Sequence, residues 1–200
     1  MIPETELVSE SKNKFKFRRG FKTWAEKISL EFRYKLNSPH YSRLCAFELA
    51  EYLQVDILVP QDIKGFGAVH VALLNMAWSA LTMKDDEGKN IIIHNGAHSA
   101  ARQQSDLMHE LAHIVCNHPL DDRDNRAGFP MLRTYNEEHE LEANWLGGCL
   151  QLPRPSLVHA MRSRMSLDAI CDFYQASREM VQYRLNITGI KKQFNYKFNK

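Results

Sequence analysis

The spacing of apolar residues divides the chain into helical stripes at its two ends and strand-like runs in its middle. Trp24, Ile28 and Phe32 recur at i, i+4 and i+8, the apolar stripe of one helix. Ser38-Pro39 reads as the start of a second helix, with Ser as cap and Pro in the first turn, and Ala46, Leu49, Ala50 and Leu53 as its buried stripe. The β-branched run Val55–Val59, closed by Pro60, predicts a strand. A short helix is expected over Ala68–Met76. Trp78–Met83 and Asn90–His94 predict two strands, and the polar Lys84–Lys89 segment between them makes a hairpin. Helix is expected from Ser99 to His118, stopping before Pro119. Another starts at a Thr134–Glu137 capping box and ends before Pro153, with Leu141, Trp145 and Leu146 facing the core. Ser166 caps a further helix, and Ala176-Ser177 opens the next, through Tyr183-Arg184. This order predicts an α+β fold: a small, mostly antiparallel sheet on a helical body, with a C-terminal helical segment of helix-turn-helix-like outline. Residues 1–15 read as a loose segment, 16–155 as the main domain and 156–200 as the C-terminal helical segment with a basic tail.

Composition narrows the class. The chain has 200 residues, 44% hydrophobic and 25% charged, with net charge +2, which is ordinary for a globular protein and gives no global field toward nucleic acid or membrane. Four cysteines without a C-x-x-C pair argue against a cysteine zinc ribbon and against a disulfide framework. Reduced thiols in a cytoplasmic protein are the expectation. The first twenty residues carry charge throughout and have no apolar core, so they are not read as a secretory signal. Residues 65–83 hold no charged side chain and are long enough to span a bilayer. Gly65, Gly67, His70, Asn75, Ser79 and Thr82 make them a poor lipid helix, so they read as a buried helix plus a strand, and no membrane partner is expected. Residues 11–35 carry nine Lys/Arg against Glu26 and Glu31, and are read as a solvated basic face. The tail, with Phe194, Tyr196 and Phe198 among lysines, could contact nucleic acid. A helical cap with a solvated tail is favoured over direct DNA binding, because no recognition helix rich in Arg, Asn and Gln is evident.

The candidate chemistry lies at His109-Glu110-Leu111-Ala112-His113, an H-E-x-x-H motif in a segment otherwise lined by Leu107, Met108, Leu111, Ala112, Ile114 and Val115. Residues four apart on a helix are about 40° apart in direction and about 6 Å apart in rise, so two imidazoles can converge on one metal ion. Glu110, next to the first ligand, is placed to take a proton from a water on that metal. The other reading is a helix with two satisfied histidines and an incidental Glu, and it is disfavoured because an unpaired carboxylate buried there is costly.

Catalytic zinc takes a third protein ligand and leaves one position open. A third His at metzincin spacing is not present: Cys116 stands where Gly belongs and Pro119 where His belongs. His118 is one position out of register and reads as a helix-end polar residue. The following helix offers carboxylates instead. Glu140 and Asn144 are four apart and share a face, whereas Glu142 is about 200° from Glu140, so both cannot easily hold one ion. Glu137 and Glu138 read as a solvated helix start favoured by the dipole. His139, Tyr135, His159 and Tyr174 are candidate oxyanion stabilisers.

Several segments in order carry a resemblance: Arg19–Glu26, Phe47–Leu53, Asp106–His113, Glu140–Asn144 followed by Leu150–Pro153, and Tyr183–Gly189. Over about residues 15–190 the chain resembles the ImmA/IrrE family of metallo-endopeptidases. The resemblance implies a minimal zincin fold in which His109, His113 and Glu140 hold one Zn2+, with Glu142 as the alternate ligand, Glu110 as the catalytic group and Asn144 supporting a ligating His. Mn2+ or Fe2+ also suits two His and one carboxylate. It implies that Asn90–Asn95, with Ile92, Ile93 and His94, forms the edge strand beside the metal helix, to which an extended substrate adds by main-chain hydrogen bonds. It further implies a cytoplasmic regulatory protease that cleaves a helix-turn-helix repressor of a mobile element or stress response. The alternative is a metal-stabilised regulator that holds a repressor or DNA without cutting. The chain departs from the family at Trp145-Leu146-Gly147-Gly148, where Phe-Ala-Ala is more usual, and each helical Gly costs about 1 kcal/mol relative to Ala.

Overall fold

A computed structural model describes residues 17–63, 78–85, 87–120 and 136–194. The helix expected over Ala68–Met76, the loose first segment, Thr134, Tyr135 and residues 195–200 of the basic tail lie outside the described residues. The helices are α1 (Phe21–Lys35), α2 (Ala46–Tyr52), α3 (Ala100–Val115), α4 (Glu137–Gln151), α5 (Arg154–Arg162), α6 (Leu167–Tyr174), α7 (Arg178–Ile187) and the short α8 (Ile190–Gln193). The strands are β1 (Asp56–Leu58), β2 (Ala80–Lys84) and β3 (Asn90–His94). The α+β class expected from the periodicity is the one observed.

Five of these helices end alike. Asn37, Gln54, Asn117, Arg164 and Gln175 all have positive φ. After each, the chain folds back so that the next residue's N–H donates to the carbonyl five residues earlier, as in Ser38 to Arg33 and His118 to His113. This is the Schellman ending, and here residues other than Gly take the left-handed position. It corrects the reading of Ser38-Pro39. Those residues follow the end of α1 rather than opening α2, because Pro is favoured just past such a cap. α2 begins only at Ala46, where Ala46, Leu49 and Ala50 are buried as expected.

The sheet order is β1-β3-β2. β2 and β3 form the expected antiparallel hairpin, with Thr82 opposite Ile92 and Ala80 opposite His94. β1 pairs parallel to β3, Ile57 opposite Ile92, so the sheet is mixed. This overturns the expected edge strand. β3 is central, paired on both sides, and Ile92, Ile93 and His94 are buried within it. β1 and β2 are the outer strands among the described residues, and β2 is the one that packs on α3.

Apolar burial falls into two clusters. The first joins α1, α2, β3, α3 and α4 around Phe21, Leu49, Ile92, Leu107, Leu111 and Leu146. The second runs from Leu152 to Ile190 and joins the C-terminal helices around Leu157, Ile170, Tyr174, Val181 and Leu185. No helix among the described residues is long and apolar enough to cross a membrane.

Candidate metal centre

The metal motif sits on α3 because that helix is amphipathic and well capped. Ser99 caps it by accepting from the Arg102 N–H. Leu107, Met108, Leu111 and Ala112 bury its inner face. The second donor set comes from α4, which starts at Asn136, two residues later than the expected Thr134 cap. The Asn136 side chain accepts from the N–H groups of Glu138 and His139. Leu141 is 38% exposed, so it faces outward rather than into the core as expected, while Ala143 and Leu146 are buried.

Close approach of α3 and α4 sets the site. A Cβ on Gly147 would lie 3.2 Å from the Met108 carbonyl oxygen and 3.4 Å from the His109 Cα. Gly147 therefore lets the backbone of α4 touch the backbone of α3 at the first histidine of the motif. The departure from the family's usual Ala is thus compensated by packing. Gly148 plays a similar part against Arg184, whose Cδ would lie 3.0 Å from an added Cβ.

At this crossing His109, His113 and Glu140 converge. The two Nε2 atoms are 3.1 Å apart. Glu140 places one oxygen 3.2 Å from His109 Nε2 and the other 3.3 Å from His113 Nε2. Zinc takes N and O ligands at about 2.0–2.2 Å in a tetrahedron, whose edges are then roughly 3.3–3.5 Å. Each separation is close to such an edge, with one carboxylate oxygen facing each ring, and the donor set of two imidazoles and one carboxylate suits a divalent metal. His113 is 1% exposed, whereas His109 and Glu140 keep 28% and 29% of their side-chain surface, so among the described residues one side of the triangle faces outward.

Glu110 lies beside this triangle with one oxygen accepting from the Thr82 hydroxyl at 2.5 Å. Strand β2 thus orients the Glu110 carboxylate of α3.

A second set of contacts orients His113. Its Nδ1 is 2.9 Å from the Nδ1 of His118. His118 Nε2 is 3.3 Å from a Glu142 oxygen, and the other Glu142 oxygen meets Arg18 Nε at 3.3 Å. When His113 Nε2 faces a metal, its proton sits on Nδ1 and is donated to His118 Nδ1. His118 then carries its own proton on Nε2 and donates it to Glu142. His118 does stand at the end of α3, as its position suggests, but it also contacts the motif. The signal for its role was Asn117-His118-Pro119, a Schellman ending that folds His118 back over His113. Asn144 is exposed, and among the described residues the support expected from it comes from His118. Glu142 joins His118 rather than the first triangle.

Of the oxyanion candidates, His139 stacks on His118 with ring centroids 4.3 Å apart. Tyr174 and His159 belong to the C-terminal helices: the Tyr174 hydroxyl lies against the carbonyls of Tyr41 and Ser156, and His159 stacks on Tyr41. Tyr135 lies outside the described residues.

Comparison with known proteins defines the class. The family model Peptidase_M78, described as the IrrE N-terminal-like domain, matches residues 68–186, and the chain belongs to that family. No curated protein sequence matches the chain. Among solved structures, a Mycobacterium tuberculosis transcriptional regulator is similar in fold, with TM-score 0.51 and 13% identity. The match covers 85% of this chain and 48% of that one, so the chain spans about half the length of that protein.

Proposed function

We propose that this chain is a zinc-dependent endopeptidase of the cytoplasm, acting on a protein substrate of the helix-turn-helix repressor class. The observation that carries the reading is the triangle of His109, His113 and Glu140 donors, 3.1–3.3 Å apart, with Glu110 fixed beside it by Thr82. Membership in a peptidase family supports the reaction type. The regulatory name of the similar structure supports a role in transcriptional control. The four cysteines are unpaired, which fits a reducing compartment.

Bound zinc would supply acidity to a water and polarise a carbonyl. The chain's own residues do the rest. Glu110 accepts a proton on the side of the metal ligands and returns it to the leaving amine. Thr82 holds that carboxylate in place, so its oxygen does not have to be ordered during the reaction. An extended peptide would lie along β2, which among the described residues is paired only on its β3 side.

The test uses native purified protein and Glu110→Gln. About one zinc per wild-type chain, retained in Glu110→Gln together with partner binding while cleavage of the repressor is lost, supports the peptidase reading. The name of the similar structure keeps a second reading in view, a metal-stabilised regulator that binds without cutting. Unchanged derepression in cells carrying Glu110→Gln would favour that one.

A further inference from the structure

Beyond the first triangle, Cys116, His118 and Glu142 bring one sulfur, one nitrogen and one oxygen within 4.8 Å of one another. We propose that these three residues form a second cation site, for a thiophilic divalent metal of the zinc class, whose filling opposes that of the first site through the His113–His118 hydrogen bond. The antagonism rests on the metal reading of His109, His113 and Glu140; the second site does not.

The donors suit such an ion. The His118–Glu142 edge is already 3.3 Å, and tetrahedral zinc with a sulfur ligand needs edges of roughly 3.3–3.6 Å. The sulfur must therefore close by ~1.2 Å at most. Cys116 sits at the end of α3, where only its own side chain has to turn. A cavity of about 440 Å³ lined by Arg18, Cys116, His118, His139 and Glu142 gives access. Burial first, and the Glu142 carboxylate second, push the Cys116 thiol up to about 12. A Cys116 thiolate and the Glu142 carboxylate together balance a divalent charge. Arg18 competes for Glu142, but through the oxygen that does not face His118, and it is more than half exposed.

The coupling follows from counting protons. A metal on His113 Nε2 leaves the ring proton on Nδ1, where His118 Nδ1 accepts it. A metal on His118 Nε2 displaces the proton held there, and the neutral ring then carries its proton on Nδ1. With both metals bound, two N–H groups would face each other across 2.9 Å, where one proton fits. Double loading must expel a proton to solvent or part the rings. Either lowers the affinity of each site for its metal by the same factor. If the peptidase reading holds, this is a metal-responsive brake.

Anaerobic titration of the metal-free full chain with cobalt(II) tests it, because only the second site contains sulfur. In wild type the first equivalent should bind without a thiolate-to-cobalt charge-transfer band, and the band should grow with the second. Cys116→Ser should bind one equivalent and show no band. In His109→Ala, which disables the first site and leaves Cys116 intact, the band should appear at about tenfold or more lower free cobalt. Absence of the band in both wild type and His109→Ala, or its persistence in Cys116→Ser, overturns the second site. A band at equal cobalt in wild type and His109→Ala overturns the antagonism. A normal band with no sulfur-free binding in Cys116→Ser would instead overturn the first site and leave the second standing.

Discussion

Of the candidate ligands His109, His113 and Glu140, His113 is the most confined: its ring is buried, one nitrogen faces Glu140 and the other faces His118. Groups that hold a ligating ring in one tautomer typically contribute 10–100-fold to metal affinity. His118→Phe, which keeps the stacking surface for His139 and removes the acceptor, should therefore weaken the first site by about that factor, measured by chelator competition. Glu140→Ala should abolish stoichiometric binding there. Glu142→Gln keeps an acceptor for His118 and should cost less than His118→Phe; an effect as large as that of Glu140→Ala would make Glu142 the third ligand. A different histidine gives a pH signature. Burial lowers the pKa of His94 from its usual 6.5, the Asp106 carboxylate opposes that shift, and His98 adds to it. Below pH 6.5 the unfolded chain then binds more protons at this position than the folded one. The stability tied to neutral His94 is complete above about pH 6.5 and falls as the pH drops. Denaturation of metal-free protein at several pH values should show a flatter acid limb in His94→Gln than in wild type. An unchanged limb would remove His94 from the account. At this scale the sequence was most legible where function depends on spacing along one helix, as for His109, Glu110 and His113. It was least legible where a partner comes from far away, as Thr82 does for Glu110 across 28 residues.

Helices α3 and α4 meet at Gly147, and that crossing converts two sequence motifs into one site. Adding a methyl group there puts two opposing effects in play. Ala in place of Gly inside a helix regains about 1 kcal/mol of propensity. Overpacking against the rigid Met108 carbonyl costs about 1–3 kcal/mol, because backbone cannot turn aside as a side chain can. Gly147→Ala should be destabilising on balance, by up to about 2 kcal/mol in urea denaturation. It should also weaken the first metal site, since α4 carries Glu140 away from the histidines as it moves. A Gly147→Ala protein more stable than wild type, with unchanged metal affinity, would mean that the helices have slack at this crossing. The elements themselves were readable: apolar periodicity placed α1 and α3 well, and Ser166 and Ser177 cap α6 and α7 as their positions suggested. Pairing was not. β1 was expected as a strand, but nothing local says that three residues, Asp56–Leu58, add in parallel to β3 and make it central. Sheet order depends on contacts distant in sequence, so the local pattern of Ile92, Ile93 and His94 does not reveal that their strand is central.

Two hydrophobic clusters meet at the C-terminal end of α4, and buried arginines tie them together. Arg33 of α1 donates to the carbonyls of Ser29, Ser42 and Leu150. The last carbonyls of α4 are the negative end of that helix, which favours a cation there. Burial lowers the Arg33 pKa to about 10, still well above neutrality, so it remains charged. Arg184 of α7, in the second cluster, donates to the Leu152 carbonyl at 2.8 Å and to Glu26 of α1 at 2.5 Å. It is fully buried. Composition shows 26 basic residues, and nothing in their local patterns marks these two as interior. Removing one partner of a buried pair typically costs about 3–5 kcal/mol, and Glu26 is partly exposed, which puts Arg184→Met near the lower end, about 3 kcal/mol. Glu26→Gln keeps an acceptor and should cost less. The distinctive expectation is in the shape of the transition. Leu152 and Leu150 belong to different clusters, and Arg33 and Arg184 hold the carbonyls on either side of that division. If Arg184 couples the clusters, its loss should uncouple them, and tryptophan fluorescence, which reports Trp24 and Trp145 of the first cluster together with Trp78 just before β2 and no residue of the second cluster, should part from far-ultraviolet circular dichroism in urea. Coincident transitions, merely shifted, would mean that apolar contact alone joins the two clusters and that Arg184 serves its own neighbourhood.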